Sequence, residues 1–240
     1  MYTLFPVRTA AILPVKRFAL AKQRLSANVA DSLRRELARA MVADVLAALA
    51  QADAITHTIV VTSEPTVARE AHARGTIVLA DRAEAGQSAA AAAGVRHALD
   101  AGIERVLCVP GDCPALDPAE LEALLCAGAR AAGEPEVVVV PDRHGTGTNG
   151  LLLTPPDAIA PSFGPDSRQR HVRLARAAGI ACRVQSVPSL LLDIDTRADL
   201  DALRARLAGH PSQAPRTRAV LGHDERTHML SIKTPACLSP

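Results

Sequence analysis

Two carboxylates stand one residue apart in Leu192-Asp193-Ile194-Asp195-Thr196. An apolar run, Leu190 to Leu192, precedes them, and a helix is predicted from Thr196 onward. In an extended strand, residues i and i+2 share a face, so Asp193 and Asp195 would offer oxygen donors side by side at a strand end. Neighbouring carboxylates repel and resist ionisation unless a positive charge lies between them. Oxygen donors alone select a hard divalent ion such as magnesium. The plainer alternative is that Asp195 opens a turn and Thr196 caps the following helix.

A second acidic motif sits far away in sequence. Val106 to Pro110 reads as a buried strand, and Gly111-Asp112-Cys113-Pro114 follows it directly. Gly111 suits a tight turn and Pro114 ends the strand. Asp112 then falls at the carboxyl end of a central strand, where open α/β sheets bind ligands. Asp117, just before Pro118, is instead read as a helix N-cap with proline at the first helical position. Cys113 reads as a small buried residue.

Cations cluster after the first predicted strand, at Lys16-Arg17 and at Lys22-Gln23-Arg24. Strand-to-helix loops of this kind commonly hold phosphates. No Gly-rich phosphate fingerprint is present, so the grip would fall to side chains: lysine as a mobile point charge, arginine as a planar fork. An ordinary solvated basic loop is the alternative. Cations together with metal-bearing carboxylates would suit a polyphosphate.

Two further loops are rich in small and hydroxyl residues. Asp142 to Gly150 contains Gly145, Gly147, Thr146 and Thr148, and its amides are expected to form an anion-binding concavity. A hairpin turn is the competing reading. Phe163-Gly164-Pro165-Asp166-Ser167-Arg168 leads into a helix whose N-terminus, with Ser167 and Arg168, is expected to be a second anion site. His171 lies one helical turn beyond Ser167 and either faces the same ligand or is structural. Gly86-Gln87-Ser88 opens another helix; it either touches a nucleobase or ribose, or Ser88 is a simple cap.

The elements that must position these residues alternate along the chain. Strands are predicted at Ala10–Val15, Thr58–Ser63, Thr76–Ala80, Arg105–Val109, Val137–Val140, Gly150–Thr154 and Ile180–Val187. Helices are predicted at Asp31–Gln51 (Asp31 as its N-cap), Glu64–Arg74, Gln87–Ala101, Pro118–Ala132, Asp166–Ala178 and Thr196–Leu207. This order implies an α/β fold: a single domain with a mostly parallel sheet flanked by helices, over residues 1–208. From about Gly209 prolines interrupt short polar stretches, so 209–240 is expected to be a poorly ordered tail, with His223 and His228 solvated.

Composition excludes several functions. The chain has 240 residues, 27 basic and 25 acidic side chains, and a formal charge of +2. That near-balance argues against a nucleic-acid surface. Aromatics make up 2% and tryptophan is absent, so base-stacking platforms are not expected. No apolar run reaches membrane-spanning length. Five scattered cysteines fit a reducing, cytoplasmic setting better than a disulfide scaffold or a zinc site.

Taken together, these residues resemble the 2-phospho-L-lactate guanylyltransferase family, the CofC/FbiD enzymes of coenzyme F-420 biosynthesis. The resemblance lies in Pro14-Val15-Lys16 with Ala21-Lys22-Gln23-Arg24-Leu25-Ser26, in Gly111-Asp112-Cys113-Pro114, in Gly145-Thr146-Gly147-Thr148-Asn149, in Phe163-Gly164 with Ser167 and His171, and in Leu192 to Thr196 with Asp199-Leu200. It implies a nucleotide-diphospho-sugar-transferase-like fold of the molybdopterin-guanylyltransferase type. It also implies magnesium ions held by Asp112, Asp193 and Asp195, and GTP with its triphosphate among Lys16, Lys22 and Arg24. Thr148, Gly164 and Ser167 match family positions that receive a phosphorylated three-carbon acid: 2-phospho-L-lactate, phosphoenolpyruvate or 3-phospho-D-glycerate. The family also suggests a homodimer. Gln23 stands where family members often have Ser or Thr, and Gly86-Gln87-Ser88 stands where they have Gly-Leu-Asn. The expected reaction is GMP transfer to the acid's phosphate. Competing readings are a related nucleotidyltransferase acting on a sugar phosphate or molybdopterin, and a catalytically silent nucleotide-binding protein.

Overall fold

Uninterrupted apolar runs such as Ala10–Leu13 and Val137–Val140 have no polar side to offer water, so strands built from them need cover on both faces. The computed structural model, which describes residues 7–20, 30–127 and 134–232, provides that cover. In chain order the strands are β1 (Thr9–Val15), β2 (His57–Thr62), β3 (Ile77–Ala80), β4 (Arg105–Cys108), β5 (Glu136–Pro141), β6 (Thr148–Thr154) and β7 (Ala181–Val184). They form one sheet in the order β3-β2-β1-β4-β6-β5-β7. β1, β2, β3 and β4 run parallel, as do β5 and β7. β6 runs antiparallel to both its neighbours, β4 and β5. Between Val140 and Pro141 the β5–β6 register shifts: Val140 faces Gly150 but Pro141 faces Thr148, so Asn149 is an extra residue in β6.

The helices are α1 (Asp31–Leu49), α2 (Pro65–Ala73), α3 (Gln87–Asp100), α4 (Pro118–Cys126), α5 (Ser167–Ala177), α6 (Arg197–Gly209) and α7 (Pro215–Ile232). Strand residues alternate between two cores. Ala11, Leu13, Val60, Leu107, Val138 and Leu152 face α1, α2, α4, α6 and α7. Ala10, Ile12, Ile59, Val106, Val137, Leu151 and Leu153 face α3 and α5. α3 comes close to the sheet at Gly94, where a Cβ would stand 2.5 Å from Ile12 Cγ2.

Local chemistry explains several boundaries. The Asp117 side chain accepts the Ala119 N–H at 2.9 Å with Pro118 opening α4, as expected. Thr196 and Asp199 form a reciprocal capping box on α6. Asp31 is not an N-cap: it is the first residue of α1 and pairs with Arg34 one turn on. β7 stops at Val184, short of the expected Val187, and a 3-10 turn follows at Pro188–Leu190. Pro188 cannot donate to a ladder, which suits it to that turn. Of the expected helix Pro118–Ala132, the part from 118 to 126 is α4, and 128–133 lie outside the described residues.

The stretch from residue 209, expected to be a poorly ordered tail, instead carries α7. Asp44, buried in the middle of α1, accepts the backbone N–H groups of Arg216 and Thr217 at 3.2 and 2.8 Å. Val220 and Leu221 then bury against the core. The cap comes from a distant helix, so no local residue type announced it.

Candidate active site

β1 is the point where strand order reverses: the chain goes from it to β2 on one side, while β4 pairs on the other. Ligands bind open α/β sheets at the carboxyl ends of such strands. β6, running the other way, brings its beginning rather than its end to the same place. A cleft of about 310 Å³ opens there. Lys16 follows β1, Asp81 follows β3, Gly111 and Asp112 follow β4, Gly86 and Gln87 open α3, Thr148 and Asn149 open β6, and Asp193 and Asp195 precede α6; all line the cleft.

Asp112 stands on the turn after β4, as expected. Gly111 supplies space rather than unusual dihedrals: its φ is not positive, and a Cβ would lie 3.0 Å from Val42 Cγ2. Asp193 and Asp195 are not at a strand end. They lie in an irregular segment after the Pro188–Leu190 turn. The segment is held by Ile194, whose side chain is fully buried and whose N–H donates to the Asp112 carbonyl at 3.1 Å. Its two neighbours therefore both border the cleft, and one backbone hydrogen bond joins the two acidic motifs.

The carboxylates sense each other. Burial raises the pKa of Asp193 above the usual carboxylate range, and the charges of Asp112 and Asp195 push in the same direction. An amide from Asn149 opposes them: its Nδ2 donates to Asp193 Oδ1 at 3.1 Å and to the Leu190 carbonyl at 2.8 Å. Asp199 accepts the N–H of Asp195 at 3.0 Å and pairs with Arg143. Burial works against Asp199's charge, but hydrogen bonds from Thr196 and Asp195 and the Arg143 guanidinium hold its pKa below the usual value. Asn149 and Asp81 are the site residues that sequence reasoning gave no role. Asp81 was detectable by the logic used for Asp112, as a carboxylate immediately after a strand.

Among the described residues lining the cleft, Lys16 is the only cation. Arg17 is not among the lining residues and pairs with Glu84 at 2.8 Å. Lys22 and Arg24 lie outside the described residues.

The Gly/Thr loop does not form an anion concavity. The N–H of Thr146 donates to Asp142 Oδ1 at 2.9 Å and that of Gly145 to the Asp142 carbonyl at 3.0 Å, so these amides close a hairpin turn. The N-terminus of α5 is similarly occupied: the N–H of Ser167 donates to Gly164 O and that of Arg168 to Thr146 O, both at 3.1 Å. Gly164 and Ser167 do not line the cleft, and Ser167 is buried. His171 is fully buried, with Thr148 on Nδ1 and the Ser162 N–H on Nε2. It reaches the cleft through Thr148 rather than directly. Gly86 lines the cleft, whereas Ser88 Oγ accepts the Phe163 N–H at 2.8 Å and ties the start of α3 to the 162–167 turn. Ser88 does not cap α3 through its side chain. Cys113 is buried, as expected.

The donor set suits a hard cation. Four carboxylates (Asp81, Asp112, Asp193 and Asp195) face one ammonium among the described lining residues. Oxygen donors without thiols or imidazoles select magnesium over softer metals. Among the described residues, no three His, Cys, Asp or Glu side chains are gathered tightly enough to hold a metal by themselves. Magnesium commonly takes one or two carboxylates and completes its shell with phosphate oxygens and water, so the residues present fit that partial role.

A mostly parallel sheet with its cleft at the switch point is an architecture that binds ligands there. The chain superposes on a Desulfovibrio desulfuricans G20 structure described as a nucleotide-diphospho-sugar transferase, with a TM-score of 0.72, 17% identity and coverage of 91% of this chain and 95% of that one. It also superposes on a nucleotidyl transferase from Methanothermobacter, with a TM-score of 0.60, 18% identity and coverage of 84% and 98%. These likenesses show the fold; that the chain is a nucleotidyltransferase rests on its family and relatives.

More particularly, the family model described as guanylyl transferase CofC like matches residues 9–214, and the chain belongs to that family. The phosphoenolpyruvate guanylyltransferase of Conexibacter woesei is 50% identical over 220 residues, covering 92% of this chain and 98% of that one. A protein of the same name from Sphaerobacter thermophilus is 39% identical over 202 residues, covering 84% and 93%. Among the described residues, no helix is long and apolar enough to cross a membrane.

Proposed function

We propose that this chain transfers GMP from GTP to the phosphate of phosphoenolpyruvate, releasing pyrophosphate, as a step of coenzyme F-420 biosynthesis. The supporting observation is the meeting of Asp112, Asp193, Lys16 and Thr148 on one cleft, in a chain whose relatives bear that activity in their names. An acceptor phosphate oxygen attacks the α-phosphorus and pyrophosphate leaves. A phosphate monoester has its second pKa near about 6, so the acceptor is already largely dianionic and needs no general base. The obstacle is repulsion between two anions.

Lys16, with Lys22 and Arg24, neutralises the triphosphate, and Thr148 donates to the acceptor. Gly164 and Ser167 support that corner by holding the turn ahead of α5. Asp112, Asp193 and Asp195 would hold magnesium together with phosphate oxygens, and the ion would supply charge neutralisation and alignment. Gly86 and Gln87 border the space left for the nucleoside. Cytoplasmic location and a homodimer belong to the same reading.

The test is a panel of phosphoenolpyruvate, 2-phospho-L-lactate and 3-phospho-D-glycerate against four nucleoside triphosphates with magnesium, scored by pyrophosphate release and product mass. Turnover with GTP and phosphoenolpyruvate is expected. Preference for another acid corrects the acceptor. Turnover only with a sugar phosphate or molybdopterin defeats the reading.

A further inference from the structure

We propose that His171 is a positioning residue that fixes the hydroxyl of Thr148 as a hydrogen-bond donor directed at the cleft, so that this corner selects an anionic oxygen of the acceptor. The inference deepens the function proposed above and rests on it for the identity of the acceptor.

The Ser162 N–H lies 2.9 Å from His171 Nε2. A backbone amide can only donate, so Nε2 must present its lone pair. A neutral imidazole carries one ring proton, which is thereby assigned to Nδ1. Nδ1 lies 3.1 Å from Thr148 Oγ1, so the histidine donates and the hydroxyl accepts. The hydroxyl's own proton must then point elsewhere, and Thr148 is a lining residue of the cleft. A threonine hydroxyl free to rotate can donate or accept. One already accepting from a fixed neighbour favours phosphate or carboxylate oxygens over donor groups.

The surroundings keep the ring in this state. His171 is fully buried and meets Phe163 edge to face, with centroids 5.3 Å apart and planes at 74°. The Phe163 N–H is held by Ser88 Oγ. Arg170 grips the same turn, donating from Nε to Ser162 O at 3.2 Å and from Nη2 to Pro165 O at 2.8 Å. Burial, with Arg170's charge beside it, lowers the His171 pKa to about 4. The doubly protonated ring, which would set two N–H groups against each other at Ser162, is therefore a minor species at neutral pH.

The experiment has two arms on the full chain. In the first, ¹⁵N shifts of the His171 imidazole report the tautomer without any ligand. The Nδ1–H form is expected, and the Nε2–H form overturns the proposal. In the second, calorimetry measures phosphoenolpyruvate binding in the presence of magnesium and a non-hydrolysable GTP analogue. Thr148→Val and His171→Phe are each expected to weaken binding about tenfold, the scale of one hydrogen bond to a charged group. Their combination should be no weaker than either alone, and GTP affinity should stay unchanged. His171→Asn keeps a donor at the Nδ1 position and should restore most of the loss. Independent, multiplying losses overturn the proposal, because a merely structural histidine would not act through Thr148. If wild-type protein binds no phosphoenolpyruvate, the proposed acceptor fails, and the tautomer alone decides the role of His171.

Discussion

Two kinds of loop meet at the cleft, and they use their polar groups in opposite ways. The acidic segments around Asp112 and Asp193–Asp195 are anchored by backbone and apolar contacts, notably Ile194, which leaves their carboxylates at the cleft wall. The loops rich in glycine and threonine, 142–147 and 163–167, turn amides inward on Asp142, Gly164 and each other. A loop can look like an anion site by composition and still have its donors occupied by its own fold. The difference lies in what satisfies the backbone, because polar groups held by neighbours have little capacity left for a ligand.

Breaking the first kind of loop should cost activity and spare the fold. Asp112→Asn and Asp193→Asn are each expected to lower turnover by about 100-fold or more, the scale of losing a key electrostatic partner. Melting temperature should hold for Asp193→Asn, because burial already disfavours that charge. Pyrophosphate release and thermal melts check both; a variant retaining wild-type turnover would remove Asp193 from the machinery.

His171 sits behind the 163–167 turn, bonded to Thr148 and to the Ser162 N–H, and it gives a pH signature. Its folded pKa, about 4, is below the ordinary 6.5, so the unfolded chain takes up the proton first as pH falls. Stability from this group is present above about pH 6.5 and is lost toward pH 4, by about 3 kcal/mol at most. Urea melts across that window should show the slope in wild type and a reduced slope in His171→Asn.

Asn149→Leu removes both hydrogen bonds that tie β6 to Leu190 and Asp193. A loss of about 2 kcal/mol in urea melts is expected, with a fall in kcat larger than any change in GTP KM. Asp142→Ala should be the mildest. It opens the hairpin turn and is expected to cost about 1 kcal/mol, with kcat nearly unchanged, since the 142–147 amides do not serve the ligand.

Much of this architecture was legible beforehand, for reasons that vary by element. Val106–Val109 and Val137–Val140 are long apolar runs, and α4 carries its own cap in Asp117-Pro118, so local pattern sufficed. Asp112 was legible from its place after a strand. What stayed hidden depends on distant partners. α7 is capped by Asp44 from another helix. The 193–195 segment borrows order from the Asp112 carbonyl rather than from a ladder. Asn149 looked like a turn residue, and only its contact with Asp193 gives it a place in the site. His171 was read as facing a ligand or as structural, and spacing alone did not show that both its nitrogens are engaged by Thr148 and Ser162.

The extra residue in β6 has a consequence for how such a site tolerates change. On a regular pleat, Thr148 and Gly150 would point one way and Asn149 the other. Here Gly150 and Asn149 both turn toward Leu190, while Thr148 turns toward α5. The irregularity thus works as a sorting device, sending neighbouring side chains to opposite layers of the protein. Removing the extra residue, Asn149, would straighten the strand, leave Thr148 on the α5 side by the pleat counted from Gly150, and delete the amide that holds Asp193.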